Sequence, residues 1–116
     1  MSDLKEMIQK VIAFRDERDW KQFHKPKDVA LSLNLEASEL LEHFQWKSDQ
    51  QFADEFEENK EAFADELSDV LYWVLLLSHD LDIDLKTALE NKIKKNEAKY
   101  PIEKVMGNNK KYTEYL

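Results

Sequence analysis

Two pairs of carboxylates, Glu36 with Glu39 and Glu66 with Asp69, are the residues whose type and spacing point to chemistry. Each pair is spaced i,i+3, so on a helix its side chains project the same way, one turn apart. Their neighbours say more than their spacing. At about 100° per residue, Glu36 shares a face with Val29, Leu33 and Leu40, and Glu66 with Phe63, Val70, Trp73 and Leu77. A carboxylate on an apolar face is costly unless a proton or a cation neutralises it. Two such pairs on adjacent helices suggest a shared hard cation held by oxygens. Spacing alone is a weak signal among 25 acidic residues. Asp54 with Glu57 and Glu55 with Glu58 read as solvated pairs, and Glu42 drifts toward the polar face.

Di-iron carboxylate bundles need Glu-x-x-His on two helices. Here the residues three before His24, His43 and His79 are Lys21, Leu40 and Leu76, so that motif is missing. An all-oxygen donor set suits Mg²⁺ or Mn²⁺, and Mg²⁺ commonly shares its shell with substrate phosphates. Trp20 and Trp46 flank the helix that carries the first acid pair, and Trp73 lies one turn past Asp69. Two readings stand for these tryptophans: core packing, or a stacking surface for a nucleobase. His24 is likewise either a polar contact to such a base or a loop-packing residue.

Four helices must position these groups. The first runs from an N-cap at Ser2 or Asp3 to about Arg18, with Leu4, Ile8, Val11 and Ile12 on its buried face. Residues 19–25 leave the helix and carry two aromatics and His24, an unusual composition for a surface loop. Pro26 opens the second helix, which extends to about Trp46. Residues 47–57 are polar and read as a loop or a short helix. The third helix starts near Asn59 and reaches about His79; Asp84 then caps a fourth that ends near Lys99, before Pro101. From about residue 102 to 116 the chain reads as an irregular tail, and no internal repeat or second domain is visible.

Composition agrees with an all-α, four-helix bundle-like domain over residues 1–116. One glycine and no Asn-Gly or Asp-Gly turn leave an antiparallel sheet little to turn on. The net charge of −8 argues against tracking a nucleic-acid polymer. That charge is unevenly spread: residues 48–69 hold nine acids and one base, residues 86–111 eight lysines and three acids. An acidic half beside a basic half can hold a metal and an anion together; the plainer reading is solvated helix faces of opposite sign. The absence of cysteine and an N-terminus running straight into an amphipathic helix suit a cytoplasmic protein. The longest apolar run, Val70 to Leu77, is far too short for a membrane span. Such wide apolar faces cannot all be covered within one 116-residue bundle, so a homo-oligomer is expected.

The chain resembles the MazG-like all-α nucleoside triphosphate pyrophosphohydrolases, and within them the dCTP pyrophosphatases. The resemblance rests on Arg18-Asp19-Trp20-Lys21-Gln22-Phe23-His24-Lys25-Pro26, Glu36-Ala37-Ser38-Glu39-Leu40-Leu41-Glu42, Phe44-Gln45-Trp46-Lys47 and Glu66-Leu67-Ser68-Asp69-Val70-Leu71. Lys92, Asn96, Lys99-Tyr100-Pro101 and Lys111-Tyr112-Thr113-Glu114 extend it over nearly the whole chain. It implies that Glu36, Glu39, Glu66 and Asp69 bind Mg²⁺ and form the catalytic centre. It implies that Trp20 and Trp46 embrace the base beside His24, and that Trp73 shapes the sugar or base pocket where relatives often carry Tyr. Lys92, Asn96, Lys99 and Tyr100 would address the phosphates or help build a neighbouring subunit's site. Lys99 stands where Arg is common, a point charge in place of a bidentate fork.

The implied reaction is attack of metal-activated water on a (deoxy)nucleoside triphosphate, dCTP or a modified dCTP. It cleaves the α–β linkage to monophosphate and pyrophosphate, clearing unwanted nucleotides from the pool. The implied assembly is a dimer or a dimer of dimers. Two other classes are a non-catalytic helical interaction or regulatory module, from which loss of an acid would be expected, and a redox bundle, which the missing Glu-x-x-His disfavours.

Overall fold

A computed structural model describes residues 3–107. Every regular element in that range is helical: α1 (Asp3–Glu17), a 3-10 turn (Lys21–Phe23), α2 (Pro26–Glu42), α3 (Asp49–Asp80), α4 (Leu85–Lys99) and α5 (Ile102–Val105). The all-α fold expected from composition is the fold observed. The described chain divides into two compact units between Asp82 and Ile83.

In the first unit α3 is the spine, and both α2 and α1 pack along it. Its length corrects the sequence reading of a loop or a separate short helix at 47–57, because residues 49–57 are the first turns of α3 itself. Ser48 caps the helix: its Oγ accepts from the Gln51 amide at 3.1 Å, while Gln51 Oε1 accepts from the Ser48 amide at 2.7 Å. This reciprocal capping box is written in Ser48-Asp49-Gln50-Gln51. Phe52, Phe56 and Phe63 then fall on one side, where Phe44 stacks on Phe52 at 4.6 Å and Phe63 meets all three rings. The polar residues between them face water, which is why the segment looks like a loop when read only for polarity.

Among the described residues the buried hydrophobic side chains are few: Val29, Phe63, Leu75 and Leu76. On α1 the residue that reaches zero exposure is Arg15, whereas Leu4, Ile8, Val11 and Ile12 are half-buried. Arg15 donates from both terminal nitrogens to Asp80 at 2.8 and 2.9 Å, a bidentate pair joining α1 to the end of α3. This charged tie takes the place that a leucine would hold in a plain amphipathic helix.

α1 ends in a Schellman motif. The Trp20 amide donates to Arg15 O at 3.2 Å and the Asp19 amide to Asp16 O at 3.0 Å, with Asp19 left-handed at φ 54°. The apolar contact that accompanies such caps is Trp20 against Phe14, edge to face at 5.8 Å. α2 begins on Pro26 and ends at Glu42, four residues before the expected Trp46. A turn follows in which Gln45 N donates to Leu41 O, and Trp46 takes a left-handed φ of 69°.

The second unit holds α4 and α5. Asp84 caps α4 as its sequence position suggests, accepting from the Thr87 amide at 3.2 Å. Residues 102–105, expected to be irregular, form the single turn of α5 after Pro101.

Candidate active site

Glu36 and Glu39 come from α2 and Glu66 from α3, and the packing of these two helices brings one oxygen of each within 4.8 Å of the others. Glu36 Oε2 and Glu66 Oε2 are buried and have no hydrogen-bond partner among the described residues. A buried carboxylate oxygen without a donor is unfavourable until a cation or proton reaches it. Burial, reinforced by Glu39, Asp69 and Glu66, pushes the Glu36 carboxyl from 4.5 up to about 7. Three oxygen ligands with unfilled lone pairs fit a hard divalent ion. Asp69 is not one of the three; it sits on the wall of the adjoining cavity with Glu36.

That cavity, about 500 Å³, is lined by Lys10, Val11 and Phe14 of α1, Trp20 and His24 of the following loop, Glu36 of α2, and Asp69, Tyr72 and Trp73 of α3. Its rings are set edge to face: Tyr72 on Trp73 at 5.0 Å, Tyr72 on Phe14 at 6.1 Å, and His24 on Trp73 at 5.3 Å. Each such contact is worth about 0.5–1.5 kcal/mol beyond burial. His24 Nδ1 is buried with no hydrogen-bond partner among the described residues. Burial, helped by the Arg15 charge, lowers the His24 pKa, so its ring is neutral at pH 7. An aromatic slot with one unpaired polar atom and carboxylates at its edge can take a flat heteroaromatic ring joined to an anion that brings its own cation.

The sequence-derived set divides on this geometry. Glu36, Asp69, Trp20, His24 and Trp73 share one cavity, and Glu39 and Glu66 share the carboxylate cluster with Glu36. Trp46 does not join them: it is 90% exposed and outside the cavity. Lys92, Asn96 and Lys99 lie on α4, and Tyr100 closes that helix as its C-cap. Lys111-Tyr112-Thr113-Glu114 lies outside the described residues.

Sequence reasoning did not reach Lys10, Phe14, Tyr72 or His43. Tyr72 could have been found one turn beyond Asp69, and His43 two turns beyond Glu36. Lys10 and Phe14 flank the expected apolar face of α1, and nothing local selects them. His43 Nε2 lies 4.0 Å from Glu66 Oε1.

The profile of the MazG-like family matches residues 31–115. The rat dCTP pyrophosphatase 1 (Rattus norvegicus) is 41% identical over 103 residues, covering 87% of this chain and 61% of that protein. The human protein of the same name is 39% identical over the same coverage. This chain thus spans about three-fifths of the length of the curated relatives it matches. Among solved structures, a pyrophosphatase from Archaeoglobus fulgidus superposes with a TM-score of 0.80 at 36% identity, covering 87% of this chain and 94% of that one. With Glu36, Glu39, Glu66 and Asp69 all inside the matched region and the fold shared across most of both chains, this protein belongs to the MazG-like family.

Proposed function

We propose that the protein is a divalent-metal-dependent nucleoside triphosphate pyrophosphohydrolase. It adds water across the α–β phosphoanhydride of dCTP or a modified dCTP, yielding the monophosphate and pyrophosphate. The observation that carries this reading is the carboxylate cluster beside the aromatic cavity, with two buried oxygens left without partners. The dCTP pyrophosphatase 1 relatives supply the reaction class and the base. On this reading the protein works in the cytoplasm.

Glu36, Glu39 and Glu66 would hold Mg²⁺ or Mn²⁺, with Asp69 completing the set from the cavity wall. Such an ion supplies charge neutralisation at phosphate oxygens and a lowered pKa for bound water. The chain's own residues do the rest. Trp20 and Trp73 sandwich or edge the base, and the neutral His24 offers Nδ1 to a polar group on it. The aromatic walls keep bulk water off the anhydride. A role for Lys92, Asn96, Lys99 and Tyr100, at the phosphates or in a neighbouring subunit's site, belongs to the same proposal.

The test is a panel of normal and modified nucleoside triphosphates, with and without Mg²⁺, scored for pyrophosphate and monophosphate. Release from dCTP-type substrates that stops with chelator is expected. Trp20→Ala should raise KM by the equivalent of about 1–3 kcal/mol, the worth of base stacking. Full turnover in metal-free buffer, or release of orthophosphate instead of pyrophosphate, would overturn the proposal.

A further inference from the structure

We infer that His43 is a positioning residue for Glu66. Its ring edge holds one carboxylate oxygen, Oε1, and so presents the other, Oε2, for a cation. The inference rests on the metal-site reading above. His43 Nε2 faces Glu66 Oε1 at 4.0 Å, and both side chains are about three-quarters buried. The other oxygen, Glu66 Oε2, is buried and has no hydrogen-bond partner among the described residues. The two oxygens are therefore in different surroundings: one has a potential donor beside it, the other has none.

The imidazole is in turn held from behind. It lies tilted at 56° against Phe63 with ring centroids 4.6 Å apart, and Phe63 is buried under Phe52 and Phe56. Its backbone is set by the end of α2, where the His43 amide donates to Leu40 O at 3.2 Å. A ring fixed in this way loses little freedom on donating to a carboxylate.

A separation of 4.0 Å is beyond a direct hydrogen bond. One bridging water, or a small rotation of the Glu66 carboxylate, closes it. Donation runs from Nε2–H to Oε1 and needs only the neutral ring. Partners of this kind behind a ligand fix its orientation, and losing one typically costs tenfold or more in metal affinity. Without His43, Glu66 is free to turn Oε1 and Oε2 through the same space, and the cluster is no longer preset.

The experiment measures Mn²⁺ binding to the substrate-free full chain, by the paramagnetic resonance of free Mn²⁺, beside melting curves of the metal-free protein. His43→Phe keeps a ring on Phe63 and removes the donor; His43→Gln restores an N–H near the Nε2 position; His43→Leu is a second apolar variant should His43→Phe fail to fold. The expected result is Mn²⁺ affinity about tenfold weaker in His43→Phe, recovery to near wild type in His43→Gln, and metal-free melting temperatures unchanged in both. Wild-type affinity in the apolar variants, or no recovery with Gln, overturns the role of His43. Glu66→Gln is the control that separates the two readings. If it binds Mn²⁺ as wild type does, or if the wild-type chain binds none, the metal-site reading itself fails and this inference falls with it.

Discussion

At the scale of single residues the site stores its chemistry as an unfavourable arrangement. Burial and three neighbouring carboxylates raise Glu36 from 4.5 to about 7, so the folded, metal-free protein keeps a proton there that the unfolded chain releases. Between those two values the native state binds more protons, and stability falls as pH rises. The contribution is complete below about 4.5 and gone once pH passes about 7. The metal-free melting temperature should therefore drop between pH 5 and pH 8 by more in wild type than in Glu36→Gln. At pH 8 the variant should melt at or above wild type, and it should lose stabilisation by Mg²⁺. A clear fall in the metal-free melting temperature of Glu36→Gln at pH 8 would make Glu36 a structural carboxylate. The same sign is expected for Glu66→Gln, because it too removes charge from a crowded cluster.

At the scale of elements, two devices at the end of α1 set the cavity wall. The Schellman turn aims Trp20 back over Phe14, and the Arg15–Asp80 pair fixes α1 on α3. Asp80, beside the Arg15 guanidinium, has its pKa held below the usual carboxylate value. Its contribution is present above the unfolded carboxylate pKa and is lost as pH falls through the folded one. Because Arg15 is wholly buried, removing it strands a largely buried Asp80. Arg15→Met should cost about 3–5 kcal/mol, while Arg15→Met with Asp80→Leu should regain most of that loss. Denaturant midpoints of the two variants check this. A double variant no more stable than the single would mean that the pair contributes far more than charge matching.

At the scale of the whole molecule the unmet requirement is coverage. Leu31 and Leu35 on α2, and Leu67 and Leu71 on α3, are spaced i,i+4 and stay exposed, Leu35 at 62% and Leu67 at 57%. Exposed leucines in such number mark a surface meant for protein. We propose that a second copy of the chain covers it, as a dimer or a dimer of dimers. Light scattering at micromolar concentration should then give a multiple of 13.9 kDa; a monomer mass would overturn this. Trp46, outside the cavity of its own chain, keeps a base-binding role only if it reaches a site on another copy. Mixing Trp46→Ala chains with Glu36→Gln chains should then give, at low substrate, more activity than the sum of the two alone. Without that excess, Trp46 has no part in the site.

Much of this was legible in the sequence because it depends on local periodicity. A 3.6-residue repeat is enough to put Glu36 with Val29 and Leu33, to pair Glu66 with Asp69 on one helix face, and to cap α4 at Asp84. Where the reading fell short, the polarity of residues 47–57 left a loop or a separate short helix open and started the third helix near Asn59. The capping box at Ser48 and the spacing of Phe52 and Phe56 outweigh the acidic run between them, and α3 begins at Asp49. What only the tertiary structure decided is which helix faces meet. It set Glu66 among the carboxylates with Glu36 and Glu39 while leaving Asp69 on the cavity wall. It brought Lys10, Phe14 and Tyr72 into that cavity and left Trp46 out. Side chains tens of residues apart converge only through the packing of α1 and α2 on α3, and the spacing within one helix carries no record of where another helix will lie.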